Sequence, residues 1–319
     1  MPRIEFHDLH PTPADLRAEV LAGLRRRPRA ISPKFFYDSR GSELFDAITR
    51  TPEYYLTRTE IGILRKHADD IAARVGMGRL LVEPGGGSCD KVRLLLDGLR
   101  PCAYVPMDIS RDHLRLAAER VAAEFPWLEV YAACTDFTRD LDLPTWGPDK
   151  PRLAFFPGSS IGNFDPDGAR GFLAAVATLV GPGGHLLIGV DLRKDKAVLD
   201  AAYNDAAGIT AAFNLNLLTR INRELGADFD LTAWRHHAYF DDARGRIEMH
   251  LVSRLAQAVH LCGELFQFAR HETIHTENSY KYGIDEFRHI ARRAGFAPEA
   301  VWTDGEALFS VHLLHVEPI

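Results

Sequence analysis

Leu80-Leu81-Val82-Glu83-Pro84-Gly85-Gly86-Gly87-Ser88-Cys89-Asp90-Lys91 decides the fold of this chain. An apolar run reaches an acid, a Pro-Gly-Gly-Gly turn follows, and Val92 to Leu99 reads as a helix. Strand, glycine turn and helix start together are how an α/β sheet receives a nucleotide-like ligand at its carboxyl edge. Glycines let the backbone approach a ligand closely and tolerate positive φ. The next strand, Ala103-Tyr104-Val105-Pro106-Met107-Asp108, also ends in an acid, 25 residues after Glu83. That is near the ~20-residue offset at which an acid meets ribose hydroxyls in such sheets.

A turn that only packs a helix on a strand would use the same glycines; an acid at both strand ends favours a ligand. A nicotinamide dinucleotide is disfavoured. The third glycine of Gly-x-Gly-x-x-Gly is Asp90 here, so a pyrophosphate would meet a carboxylate. S-adenosylmethionine carries an adenosine, a sulfonium and an amino-acid tail but no phosphate, and it suits Glu83 and Asp90 better.

Outward from this turn, apolar runs and helical stretches alternate. Ser110 is expected to cap a helix through Ala123. Strands are expected at 128–134, 152–156 and 185–190, with a helix over 169–180 and another over 61–75 before the first strand. Alternation of this kind implies a parallel, doubly wound α/β sheet with ligands beyond the strand carboxyl ends. Glu83, Asp108, Asp136 and Asn163 all fall there. From about Lys194 the rhythm changes. Helices are expected at 197–207 and 211–225, and antiparallel strands at 238–240, 246–255, 258–261 and 266–274. A helix at 284–294 and strands at 300–302 and 307–316 follow. The pattern predicts a first domain of residues 1–194 plus 287–319 with residues 195–286 inserted as an α+β domain.

Composition narrows the class. The chain has 319 residues, 46% hydrophobic and 26% charged, and a formal net charge of -6. That profile is globular, with no global field to attract nucleic acid. Arg25-Arg26-Arg27-Pro28-Arg29 reads as a solvated helix end. Cys89, Cys102, Cys134 and Cys262 form no Cys-x-x-Cys pair, which argues against a zinc site or a disulfide framework and fits a reducing cytoplasm. No apolar run is long enough for a signal peptide or a membrane span. The expectations are no metal, no nucleic acid, no membrane, and a monomer or weak oligomer. Two aromatic segments, 33–45 and 51–60, fit either ordinary packing or a site. Met249 fits a core position equally well, and Glu277 fits a turn cap.

Phe36-Tyr37-Asp38-Ser39-Arg40-Gly41-Ser42-Glu43-Leu44-Phe45, Thr51-Pro52-Glu53-Tyr54-Tyr55-Leu56-Thr57-Arg58-Thr59-Glu60, Gly158-Ser159-Ser160-Ile161-Gly162-Asn163, Ala202-Tyr203-Asn204-Asp205 and Thr276-Glu277-Asn278-Ser279 together resemble the histidine-specific Nα-methyltransferases of ergothioneine biosynthesis. The resemblance spans nearly the whole chain. It implies a class I (Rossmann-like) methyltransferase fold with an inserted substrate-binding domain. The implied reaction is transfer of three methyl groups from S-adenosylmethionine to the α-amine of L-histidine, giving hercynine. The resemblance assigns Asp108 to the ribose, Asp136 and Phe137 to the adenine, and Gly85, Gly86 and Lys91 to the methionine part. Asn163 and Tyr203 are expected on the substrate carboxylate, and Tyr37 near the amine and cofactor. Phe45 is expected in the cofactor wall. Tyr54, Met249, Glu277 and Ser279 match the imidazole pocket. Pro84-Gly85-Gly86-Gly87 departs from the more usual Leu-Gly-Ser-Gly, and Asn278 and Tyr280 depart from smaller or apolar residues.

The chemistry agrees with these assignments. Methyl transfer is an in-line displacement in which positioning does most of the work. Aromatic faces favour a methylated ammonium, a role open to Tyr37, Tyr54 and Phe45. A carboxylate facing the imidazole selects a ring that donates N–H. Two rivals remain: a relative acting on another aromatic amino acid such as tryptophan, and a non-catalytic module that binds cofactor or amino acid. Glu277 speaks against an indole, whose carbon edge would desolvate a carboxylate without return.

Overall fold

The computed structural model describes residues 4–9, 13–138, 141 and 150–318. The chain divides into two compact units, Met1–His10 with Leu56–Arg193 and Tyr280–Ile319, and Pro11–Tyr55 with Lys194–Ser279.

In the first unit the described residues form an eight-stranded sheet. Its order is Ile4–Asp8, Val130–Cys134, Ala103–Asp108, Leu80–Pro84, Arg152–Phe156, His185–Asp191, Phe309–His315 and Ala297–Thr303. The first six run parallel, and Phe309–His315 runs antiparallel to both neighbours. All five residues of Leu80–Pro84 and all seven of His185–Asp191 are buried. Parallel strands covered on both faces read as unbroken apolar runs, which is why the sequence exposes them. From Leu80–Pro84 the chain moves to Ala103–Asp108 on one side and later returns to Arg152–Phe156 on the other. This reversal of strand order is the switch point at which such sheets bind ligands. Ile4–Asp8 was not expected; as a partly exposed edge strand it carries little apolar signal. The helix before the first strand is longer than read, Leu56–Val75. Ser110 precedes Arg111–Glu124, but its side chain makes no capping bond. The Asp108 carboxylate instead accepts from the Ser110 amide at 2.8 Å.

Among the described residues the second unit holds a four-stranded sheet ordered Arg29–Ala30, Thr273–Tyr280, Arg246–Ser253 and Trp234–Asp241, and a hairpin of Gln257–Leu261 with Glu264–Phe268. The helix Ile209–Leu225 packs on two of these strands, and Ser39–Ile48 packs on that helix. The expected domain boundaries need correction: residues 11–55 join the second unit, and its last segment ends at Ser279 rather than at residue 286. The reason is pairing. Arg29 and Ala30 align with Ile274 and His275, and Asp38 accepts from Asn216 at 2.8 Å and from Arg223 at 2.7 Å. Beyond Ser279, Lys281 pairs with Asp191 inside the first unit at 2.7 Å, with both side chains fully buried.

Three local expectations change as well. Arg29 is not solvated: it is buried, donates to Glu272 at 2.8 Å and lies 4.4 Å over the Phe268 ring. The strand expected at 266–274 breaks after Phe268 and restarts at Thr273, with His271 at φ 70 between. The helix expected at 197–207 stops at Ala202. There Asp205 turns the chain, accepting from the Ile209 and Thr210 amides at 2.8 and 2.7 Å to start the next helix.

Candidate active site

At the switch point of the first unit the glycine turn is fixed from the neighbouring strand. The Gly85 and Gly86 amides donate to the Met107 carbonyl at 2.7 and 3.0 Å. The Gly87 amide donates to Asp108 at 3.0 Å. Gly85 sits at φ +70, and a Cβ there would come within 3.3 Å of the Phe137 ring. Phe137 packs edge-on against Phe156 and Phe172. Asp136 is buried and accepts from the Thr138 amide at 3.1 Å and from the Thr138 hydroxyl. Asp108 stays partly exposed. Burial pushes its carboxyl up, against the pull of the Ser110 and Gly87 amides. Lys91 reaches back to Glu60, Nζ to Oε2 at 2.5 Å.

Glu83 behaves differently from the sequence reading. Its carboxylate is buried and accepts from the Tyr104 hydroxyl. Burial raises its pKa to about 8, so near neutral pH it is largely protonated and adds little negative charge to the turn. Against a dinucleotide there remains Asp90, which is exposed. Asn163 ends the short helical turn Ser160–Asn163 and is partly exposed. The turn starts from Ser159 at φ 58, whose hydroxyl accepts from the Asp191 amide at 2.9 Å.

In the second unit the aromatic residues singled out by sequence meet in one run. Tyr37 lies edge-on to Phe45 at 5.7 Å, Phe45 to Tyr54 at 6.4 Å, and Tyr54 to Tyr203 at 6.3 Å between centroids. Tyr203 then donates its hydroxyl to Ser279 at 2.8 Å. Five residues from four separate segments are thereby joined. Glu277 lies two positions before Ser279 and is buried, 9% exposed. Met249 is buried on the adjacent strand, and its carbonyl accepts from Thr276 at 3.1 Å. Sequence reasoning missed Phe213, which packs against Phe36, Tyr37 and Phe45. Its helical spacing reads as core, so only its neighbours mark it.

Among the described residues one set of possible metal ligands gathers: Glu248, His250 and His275. Arg246 and Tyr239 each donate to Glu248 at 2.9 Å, and His250 lies 3.0 Å from it. Burial alone would raise the Glu248 carboxyl, but these hydrogen bonds outweigh it and hold the pKa at about 2.

The arrangement provides a bare glycine turn with a partly exposed acid in one unit, and in the other an aromatic run that ends in hydroxyls, with Glu277 buried two positions before its last member. Comparison with known proteins agrees with it. A solved S-adenosylmethionine-dependent methyltransferase from Clostridium acetobutylicum aligns with a TM-score of 0.50 over 86% of this chain and 98% of that one, at 12% identity, which bears on the fold alone. The histidine N-alpha-methyltransferase of Mycolicibacterium smegmatis is 43% identical, covering 93% of this chain and 94% of the relative. The ergothioneine biosynthesis protein 1 of Neurospora crassa is 32% identical over 94% of this chain, which spans 35% of that longer protein. The family model described as histidine-specific methyltransferase, SAM-dependent, matches residues 16–316. The chain therefore belongs to the histidine-specific, S-adenosylmethionine-dependent methyltransferases.

Proposed function

We propose that this enzyme trimethylates the α-amino group of L-histidine to hercynine, a step of ergothioneine biosynthesis. The observation that carries the reading is the run from Tyr37 through Phe45, Tyr54 and Tyr203 to Ser279, with buried Glu277 on the same strand. The first unit suits S-adenosylmethionine. Gly85 and Gly87 hold positive φ in a turn without side chains, and Asp108 stands partly exposed beside them. Gly85, Gly86 and Lys91 would hold the methionine part, Asp108 the ribose, and Asp136 and Phe137 the adenine. When bound, the cofactor supplies an electrophilic methyl on a sulfonium.

The chain's own residues bind and select. Asn163 and Tyr203 are assigned to the substrate carboxylate. Glu277 and Ser279 offer acceptors to an imidazole N–H, and Tyr54 and Met249 complete that pocket. Tyr37 and Phe45 present ring faces, which favour a fixed cation by roughly 0.5–2 kcal/mol. Orientation of the neutral amine for in-line attack is where such a site lowers the barrier.

The test is mass spectrometry of the purified protein with S-adenosylmethionine and each of the twenty amino acids. Histidine should gain three methyl groups, and histamine, lacking the carboxylate, should react poorly. Faster methylation of tryptophan would replace the reading. For selectivity, Glu277→Ala removes a charge-assisted bond worth roughly 1.5–3 kcal/mol. Histidine turnover at low substrate should fall about 10- to 150-fold. Adding Met249→Val should shift the kcat/KM ratio toward tryptophan; an unchanged ratio would place selectivity elsewhere.

A further inference from the structure

We propose that Glu60 is a positioning residue of this active site: its carboxylate fixes both the Lys91 ammonium and the loop that leads to Asn163. The proposal rests on the functional reading above, which puts Lys91 at the methionine part of the cofactor and Asn163 at the substrate.

Glu60 closes the segment Thr51–Glu60 in sequence, and the functional assignments leave it without a role. Its helix, Leu56–Val75, begins five residues earlier than the sequence suggested, so Glu60 is a helical side chain directed into the first unit. The residue is 1% exposed. A buried carboxylate is costly without partners, and Glu60 has two of different kinds. Lys91 Nζ lies 2.5 Å from Oε2. The Gly158 amide donates to the same carboxylate, 2.9 Å from Oε2 and 3.1 Å from Oε1. One carboxylate therefore ties the end of the glycine turn to the start of the loop Gly158–Asn163.

A glycine in a neighbouring strand makes room for this bridge. A Cβ at Gly189, in the strand His185–Asp191, would lie 2.0 Å from Glu60 Oε1. Gly158 holds φ +84, and a Cβ there would meet Lys91 Nζ at 3.4 Å. Space for the carboxylate is thus left in the strand that faces it. A lysine ammonium is a point charge on a flexible stem, so its direction depends on what grips it. Here Glu60 grips it, and the same group sets the loop by its backbone. Binding on the cofactor side and on the Asn163 side would thus share one anchor.

Two substitutions separate the two functions of the carboxylate. Glu60→Gln keeps an oxygen for the Gly158 amide and loses the ion pair with Lys91. Glu60→Ala loses both. Glu60→Gln is expected to raise the KM for S-adenosylmethionine about 5- to 20-fold with the histidine KM within about twofold of wild type. This is less than the loss of a whole charge-assisted bond. Glu60→Ala should raise both KM values. Lys91→Met should raise the cofactor KM, and adding Glu60→Gln to it should change that KM by less than about twofold, since the shared contact is already gone. This double variant carries no unpaired buried charge and keeps the test open should Glu60→Ala fail to fold. A Glu60→Gln protein with an unchanged cofactor KM and only a lower melting temperature would overturn the proposal, as would additive effects in the double variant. Calorimetry of cofactor binding gives a separate readout. Wild-type protein that binds S-adenosylmethionine but methylates no histidine would refute the functional reading, while the effect of Glu60→Gln on affinity would still decide the role of Glu60.

Discussion

Single residues in this protein show how burial changes what a side chain does. Glu83 stands at the end of the first strand, where the sequence suggests an acid facing a ligand. The structure turns its carboxyl to the Tyr104 hydroxyl and burial raises its pKa to about 8. A carboxyl whose pKa is raised on folding binds its proton more tightly in the native state. Its contribution therefore falls as pH rises from about 4.5 through 8. Glu83→Gln keeps an acceptor for Tyr104 and carries no titratable proton. The variant should melt at a higher temperature than wild type at pH 8.5, with the difference shrinking at pH 5. Thermal unfolding at the two pH values measures this, and an equal shift at both would show that ionisation of Glu83 is not the cause. Asp108 was legible as the acid that closes a strand. Its use as the acceptor of the Gly87 and Ser110 amides was not, since backbone direction at a turn is not encoded in residue type.

At the scale of elements, the segment from Phe36 to Phe45 explains its own odd composition. Asp38 caps the helix Ser39–Ile48 by accepting from the Gly41 amide at 2.7 Å. Gly41 then passes so close to the preceding turn that a Cβ would lie 1.7 Å from the Phe36 carbonyl oxygen. Gly41→Ala should cost about 1–3 kcal/mol or more, the range for forced overpacking, although alanine is the better helix former. Urea unfolding checks the sign, and a stabilised variant would mean that the turn yields freely. The strand Thr273–Tyr280 and the helix end at Tyr203 are joined by the bond from Tyr203 to Ser279. Tyr203→Phe and Ser279→Ala should be coupled by about 0.5–1.5 kcal/mol in a double-mutant cycle of stability. Independent, additive losses would contradict the bond. The hairpin is closed by Cys262 and Gly263, both at positive φ. This is the two-residue turn that matches strand twist, but cysteine in its first position conceals it from sequence reading.

For the whole molecule, buried histidines set the response to acid. Burial lowers His250 from 6.5 to about 4 in the second unit, and His312 to about 3 in the first. Below pH 6.5 the unfolded chain takes up protons that the native histidines refuse, so stability is lost as pH falls toward 4. Glu248, held at about 2 against 4.5, acts with the same sign at lower pH: its contribution is present above 4.5 and lost as pH falls through 2. Glu83 acts in the opposite sense above pH 4.5, but His236 and His275 are lowered by burial as well, so the histidines prevail: the melting temperature should decline between pH 6.5 and 4, and His312→Leu should flatten that decline. An unchanged slope in the variant would remove His312 from the account.

The buried strands from Leu80–Pro84 to His185–Asp191, the glycine turn and the acid at the end of Ala103–Asp108 were legible because they depend on local composition and on runs buried on both faces; the order of those strands in the sheet was not. The family was legible because its motifs are contiguous in sequence. Tertiary structure alone decided the rest. The two-residue strand Arg29–Ala30 is too short to carry a period, so only its pairing with Ile274 and His275 draws residues 11–55 into the second unit. Glu60, Lys91 and Gly158 lie far apart in sequence and meet because a helix, a turn and a loop pack together in the first unit. The run from Tyr37 to Ser279 likewise comes from four segments. Residue types announce the chemistry available to a chain, but distance and burial assign the partners, and those exist only once distant segments share a core.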